Sequence, residues 1–344
     1  MVEQQSARVL VAPLLAACDG GPRRELRSLA PEAISRRVSA SAVKESLKQL
    51  ERWSRDGLLV LAVDDAAFPP LLREIPDPPL LLFLRGDVSC LTRPAVAVVG
   101  SRRASSAGLR TAHDMAGALA EAGVTVVSGL ASGIDAAAHA GALAANGRTI
   151  AVLGSGLHQV YPASNRPLAE RIVTGNGLLI SEYAPEVRPR RHHFPERNRI
   201  ISGLCEAVVV VEASEQSGSL ITARLALEQG RDVLAVPGSI HNPNSAGCHR
   251  LIRDGAALID GVSTLMQELG LDGPVPDSPP AAWAPVWHAL TVEPMDAERV
   301  SQVLSLALPE VLLALAELEV RGFVATGADG YSRRCPQPSS GPRR

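Results

Sequence analysis

Two strand-to-helix junctions constrain this chain more than any other feature in it. Val98-Val99-Gly100-Ser101-Arg102 closes one short β-branched run, and Ser128-Gly129-Leu130-Ala131-Ser132-Gly133-Ile134-Asp135 closes the next; a helical pattern opens after each. The pair reads as successive strand–turn–helix units, whose small residues let backbone N–H groups approach a ligand closely. Helix dipoles favour negative charge at such turns, and Arg102 adds a planar cation suited to phosphate. The turns therefore predict a phosphate-bearing ligand.

The same period continues downstream. Apolar runs at Thr149–Leu153, Leu178–Ile180, Ala207–Val211, Asp232–Val236 and Ala257–Ile259 are separated by helical patterns or long loops. That spacing predicts an α/β fold with a doubly wound, extended Rossmann-like and mostly parallel sheet. Ligands of such sheets lie beyond the carboxyl ends of the strands. Gly100-Ser101-Arg102, Gly129 to Gly133, Gly154-Ser155-Gly156 and Ser217-Gly218-Ser219 all fall there.

At 344 residues the chain exceeds one ordinary domain, and its 46% hydrophobic content can fill a sizeable core. A formal net charge of −2 says nothing about polyanions by itself, but charge is local: Glu182 to Arg199 carries five arginines and two histidines against three glutamates. The five cysteines are scattered, with no C-x-x-C pair, so neither a zinc or other metal site nor a disulfide framework is expected, and a reducing cytoplasm fits. Leu15-Ala16-Ala17-Cys18 looks superficially like a lipoprotein cleavage position, yet Glu3 sits where a positive region belongs; an amphipathic core helix explains the segment more simply. No apolar run is long enough to span a membrane, so no membrane partner is expected.

Punctuation divides the chain. Residues 1–56 read as a small, mildly basic N-terminal helical domain broken at Gly20-Gly21-Pro22, and residues 57–270 as the sheet domain. Residues 271–283 form a Pro-rich linker, residues 284–334 a C-terminal domain, and residues 335–344 a tail. In the C-terminal domain Val286–Leu290, Asp296–Leu304 and Pro309–Arg321 read as helices, followed by a hairpin through Phe323-Val324 and Tyr331-Ser332. Its third helix carries Glu310, Glu317 and Glu319 with no base before Arg321, poor chemistry for a polyanion, so a protein-contact or regulatory role is expected rather than duplex reading.

Phe194, one of four phenylalanines, is flanked by His192-His193 and Arg197-Asn198-Arg199. An aromatic among cations is what single-strand binders use, the ring stacking on a base while guanidiniums hold phosphates. The alternative is a core plug. Arg197 and Arg199 stand two apart, so on a helix they cannot face one groove, and Arg199 reads as a brace. Asp135 reads as a helix-start cap or an orienting group rather than an acid catalyst, His139 as a core residue or one lying behind the ligand contacts, and Ser219 as the N-cap of the helix after Ala207–Glu212, with Ser217 and Gly218 beside a second anion seat.

These residues carry a resemblance. Val99-Gly100-Ser101-Arg102, Ser128 to Asp135, Tyr161-Pro162 with Asn165, Ser181-Glu182, Phe194 to Ile201, Ser217 to Ala223, Pro237-Gly238, and Gly247-Cys248-His249 with Leu251-Ile252 and Gly255-Ala256 occur in one order. In that order the chain resembles the DNA-processing protein A family, also called Smf, from Phe68 to Gly261. The resemblance implies single-stranded DNA binding in natural transformation (competence), protection of incoming strands, and loading of a RecA-type recombinase, with single-strand DNA-binding protein as a further partner. It implies a sterile-alpha-motif-like N-terminal domain, a winged-helix-like C-terminal domain, and a homodimer through His249, Leu251, Ile252 and Ala256. It also implies DNA contacts from Gly100, Ser101, Arg102, Ser128, Gly129, Gly133, Gly154, Gly156, Phe194, Arg197, Asn198, Ser217, Gly218 and Ser219. The family's pocket lysine would be replaced here by Arg166.

Two enzyme classes compete with this reading. Phosphoribohydrolases with a similar sheet carry Pro-Gly-Gly-x-Gly-Thr followed by Glu, whereas Pro237-Gly238-Ser239 lacks that continuation and its carboxylate. A dinucleotide oxidoreductase needs G-x-G-x-x-G, which Gly100-Ser101-Arg102-Arg103 does not supply. The expectation is a recombination mediator with no catalytic residue and no cofactor.

Overall fold

The computed structural model describes residues 39–271, 282–291, 294–320, 323–327 and 330–333. Two compact units divide at Leu269 and Gly270. The first contains strands β1 (Leu58–Ala62), β2 (Leu81–Gly86), β3 (Ala95–Val99), β4 (Thr125–Ser128), β5 (Thr149–Leu153), β6 (Leu178–Ser181), β7 (Ala207–Val210), β8 (Asp232–Ala235) and β9 (Ala257–Leu258). Its helices are α1 (Ala40–Arg55), α2 (Pro70–Arg73), α3 (Ser106–Glu121), α4 (Ile134–Ala144), α5 (Arg166–Thr174), α6 (His193–Gly203), α7 (Gly218–Glu228), α8 (Ala246–Arg253) and α9 (Val262–Glu268).

Among the described residues these strands form one sheet, ordered β1-β2-β6-β5-β4-β3-β7-β8-β9. From β6 to β9 every pairing is parallel, as the apolar runs predict; β2 joins β6 antiparallel, and β1 pairs antiparallel with β2. Helices cover both faces, which is why β3, β4, β5, β6 and β7 are buried at every position and show no alternation. Val99, Val127, Ile150, Ile180 and Val210 belong to one core, while Leu130, Leu153, Leu157, Ile172 and Leu179 belong to the other.

The chain winds from β3 through β4 and β5 to β6, then returns across β3 to β7. Strand order therefore reverses between β3 and β7. Their carboxyl ends part the following loops and open a crevice there.

Helix α1 packs within the same unit as the sheet. Trp53 meets Phe83 edge-on at 5.5 Å, and its indole N–H donates to Glu186 Oε1 at 2.9 Å. The remainder of the expected N-terminal helical domain, residues 1–38, lies outside the described residues, as do most of the expected linker and the tail.

The second unit contains α10 (Ala284–Ala289), α11 (Ala297–Leu304), α12 (Leu308–Val320), β10 (Val324–Gly327) and β11 (Gly330–Arg333). Met295 bridges Tyr331, adding a third extended segment to the hairpin. Val286, Val300, Leu315 and Phe323 fill its core. Three helices and a wing-like hairpin follow in the expected order. No single helix among the described residues is long and apolar enough to cross a membrane.

Candidate nucleic-acid interface

The crevice between β3 and β7 is a cleft of about 990 Å³. Arg102 and Arg103 reach it from the turn after β3, Tyr161 from the loop after β5, and Arg191, Phe194 and Asn198 from the start of α6 and the segment before it. Ser217, Gly218 and Ser219 close it at the N-terminus of α7. Sequence-predicted residues on separate loops thus meet at one place.

The turns do not offer their N–H groups in the way their sequence suggests. At the start of α3, Glu212 from the end of β7 takes the anion's place: Ser105 donates to it through its hydroxyl at 2.6 Å and its amide at 2.9 Å. A Cβ on Gly108 would stand 2.6 Å from the Glu212 carboxyl carbon, so glycine is what admits that carboxylate to the first turn. Asp135 does not cap α4, whose N-cap Gly133 receives no side-chain bond; instead it reaches back and accepts from the loop amides of Gly129 at 3.1 Å and Ala131 at 3.3 Å. Burial raises the Asp135 pKa while Arg197 opposes that rise. An internal carboxylate thus fills the start of α3, and another ties down the loop ahead of α4, where amides would otherwise face a phosphate.

Several predicted contact residues consequently do framework tasks. Ser128 is fully buried and its hydroxyl donates to Val98 O at 2.7 Å. The Gly129 amide is occupied by Asp135. Gly133 has φ +83°, and a Cβ there would collide with Ser101 O, so it packs the second turn onto the first. Gly100 lies close under Ile134. Leu130 holds φ +56°, an unfavourable region for a branched side chain, braced by Asn165 donating to its carbonyl at 2.9 Å. The N-cap of α7 is Ser217, not Ser219: its hydroxyl accepts from the Ser219 amide at 3.3 Å, because the helix begins at Gly218.

Arg197 sits at the floor of the cleft and is 4% exposed. Its Nη1 donates to Gly129 O at 2.8 Å and to Val152 O, tying the ends of β4 and β5 together. Burial pulls its pKa down to about 10, with Asp135 holding the charge in place. Asn198 is buried and donates to Gly218 O at 3.2 Å, linking α6 to α7. Arg199 is the brace expected of it: Nη2 donates to both Glu182 oxygens at 2.6 and 2.8 Å, and Nε reaches Asp77.

Phe194 lies partly exposed against Gly154, where a Cβ would stand 2.9 Å from its ring. The Arg102 guanidinium is 5.4 Å from the Phe194 ring centroid, within cation–π range. Tyr161 lies 5.5 Å from Phe194, tilted by 50°. Arg102 is exposed and makes no ion pair among the described residues. It is a cation held by an aromatic ring rather than neutralised by a carboxylate.

Two predicted contacts fall outside this arrangement. The Gly156 amide donates to Val187 O at 2.8 Å and is taken up by the loop that follows β6. Arg166 is exposed at the first position of α5 and does not line the cleft. Conversely, sequence reasoning misses Arg103, Arg191, Tyr161 and Glu212 as site residues. Arg191 belongs to the basic run, and Tyr161 lies within the Tyr161-Pro162 motif, so both had a signal. Glu212 had none: its partner Ser105 is 107 positions away.

Leu251, Ile252 and Ala256 of the expected dimer region pack against the sheet core. His249 shares a hydrogen bond with Gly238 O at 2.9 Å and borders a shallow concavity with Ile252 and Leu258. Leu258 and Ile240 are exposed. His139 is fully buried, as expected of a core residue, and burial lowers its pKa to about 3. Burial also pushes the thiols of Cys90 and Cys248 up to about 12 and about 11. Among the described residues no three His, Cys, Asp or Glu side chains gather as metal ligands do.

Residues 59–270 match the family model described as DNA recombination-mediator protein A. Protein Smf of Escherichia coli is 42% identical over 310 residues, spanning 85% of this chain and 81% of the relative. The X-ray structure of DNA processing protein A from Streptococcus pneumoniae superposes with a TM-score of 0.61 at 39% identity, covering 76% of this chain and 95% of that one. A structure addressing the single-stranded DNA binding mode of DNA processing protein A from Helicobacter pylori gives 0.57 at 30% identity, covering 62% and 96%.

Proposed function

Because this chain belongs to the DNA recombination-mediator protein A family, we propose that it binds single-stranded DNA in the cleft between β3 and β7 and hands that strand to a RecA-type recombinase during transformation. The observation that carries this reading is the exposed Arg102 guanidinium poised 5.4 Å from the Phe194 ring, in a cleft also bordered by Arg103 and Arg191. Cations hold the sugar-phosphate backbone and unpaired bases rest on rings, which selects a single strand without selecting its sequence.

The protein acts without catalysis. Glu212 occupies the turn before α3 where a nucleotide phosphate would dock, and Pro237-Gly238-Ser239 lacks the glutamate-bearing continuation, which disfavours the nucleotide-hydrolase alternative. Its partners are the strand, the recombinase and single-strand DNA-binding protein in the cytoplasm, and it works as a homodimer, so that two clefts hold one strand by avidity. The exposed Leu258 and Ile240, together with the concavity bordered by His249 and Ile252, form the pairing surface.

Filter binding of single- and double-stranded DNA at two salt concentrations tests the first step. Preference for single strands, falling steeply with salt, is expected; equal affinity for duplex overturns it. Recombinase filament formation on strands already coated by single-strand DNA-binding protein tests the second. A shortened lag is expected, and no acceleration at any stoichiometry rejects loading.

A further inference from the structure

We propose that Tyr161 is the platform on which an unpaired nucleobase stacks in the cleft, with Phe194 as the ring that supports it. This rests on the single-strand-binding reading and assigns the base contact to a residue outside the arginine-flanked segment. Among the described residues, Tyr161 is the one exposed large hydrophobic side chain that lines the cleft, at 48% exposure. Phe194 is the less available of the two rings. Gly154 lies against it, the Arg102 guanidinium approaches it at 5.4 Å, and Tyr161 itself stands 5.5 Å away.

The loop that presents Tyr161 is fixed on both sides. Upstream, the Ser155 hydroxyl donates to Gln159 O at 2.7 Å and the His158 amide to Pro185 O at 3.0 Å. Downstream, the Asn165 side chain donates to Leu130 O at 2.9 Å and its amide to Pro162 O at 3.0 Å. A ring on so constrained a loop loses little conformational freedom when a ligand covers it, which favours binding. A large aromatic left open near a cation in a cleft fits a flat, apolar-faced ligand. Every base has such a face, so the platform accepts any of them.

The arrangement separates two contributions. Arg102 meets the phosphates, whereas Tyr161 meets the base, and each is removable without the other. The test compares the full-length protein with Tyr161→Ala, Tyr161→Phe and Arg102→Ala on two strands of equal length, one ordinary and one built of abasic sites. The parent is expected to prefer the ordinary strand. Tyr161→Ala should bind it about 5- to 150-fold more weakly, yet bind the abasic strand as the parent does. Tyr161→Phe should behave like the parent, and Arg102→Ala should weaken both strands. Thermal melts establish that each variant is folded. As a second measurement, a 5-iodouracil strand irradiated with the parent should crosslink to Tyr161. Undiminished binding of the ordinary strand by folded Tyr161→Ala, while Arg102→Ala binds poorly, overturns this inference and leaves the cleft assignment standing. Failure of the parent to bind either strand overturns the single-strand-binding reading and this inference with it.

Discussion

Glu212 and Ser105 are joined by two hydrogen bonds, the serine hydroxyl donating at 2.6 Å and its amide at 2.9 Å, although the residues end different strand-to-helix excursions. This pairing places a carboxylate, 7% exposed, where the helix dipole and free amides would otherwise hold a phosphate. It also fixes the turn from which Arg102 projects. Glu212→Ala leaves the Ser105 amide and hydroxyl without their acceptor and should lower stability by about 1–3 kcal/mol. A denaturation midpoint unchanged from the parent would show that the pairing contributes nothing.

Arg102 and Arg197 should part company on mutation. Arg102→Ala is expected to keep the parent's melting temperature, weaken single-strand binding, and reduce the slope of log affinity against log salt by about 0.7, the increment for one phosphate on a single strand. Arg197→Ala removes the donor to Gly129 O and Val152 O that links β4 to β5, leaves those carbonyls buried without it, and should cost about 1–3 kcal/mol of stability. A stable Arg197→Ala protein that merely binds DNA poorly would make Arg197 a direct contact instead.

Trp53 connects α1 to the basic loop through Glu186. Trp53→Phe retains the packing on Phe83 but removes the indole donor, so the segment from Arg188 to Arg191 should open more often. Trypsin should then cut after Arg190 and Arg191 faster than in the parent, with little change in overall melting temperature. Equal cleavage rates would mean that the loop is held without α1.

His139 gives the sheet domain an acid sensitivity. The Thr149 hydroxyl donates to Val126 O, so its oxygen accepts from His139 Nδ1, and Nε2 is buried without a partner. With the folded pKa near 3 and the ordinary value at 6.5, the folded state holds the neutral ring. That preference has no effect at neutral pH and destabilises progressively as pH falls below about 6.5, because the unfolded chain then binds the proton. His139→Leu should flatten the fall in melting temperature between about pH 7 and pH 5. An identical pH dependence in parent and variant would assign the acid sensitivity elsewhere.

Leu258 and Leu251 separate pairing from packing. Leu258→Glu should yield a folded monomer by light scattering, since Leu258 is 45% exposed. Leu251 packs against the sheet core, so Leu251→Glu should lower the melting temperature. A Leu258→Glu protein that remains dimeric would move the interface elsewhere.

The parallel sheet was legible from local composition. The runs at Thr149–Leu153 and Leu178–Ile180 match β5 and β6 to within a residue because a strand buried on both faces must be apolar throughout. Phe194 was equally legible among its cations, and helical spacing sufficed to read Arg199 as a brace. Which polar groups stay available is a different matter, set by the folded arrangement. Arg102 and Arg197 are the same residue type in equally suggestive motifs, yet one is exposed near Phe194 and the other is buried beneath the strand ends. The Gly129 amide reads as open in sequence, yet Asp135 binds it; the turn before α3 reads the same way, yet Glu212 fills it. A donor's availability depends on whichever acceptor the fold brings within hydrogen-bond distance, and that acceptor stands anywhere in the chain, so no local pattern records it.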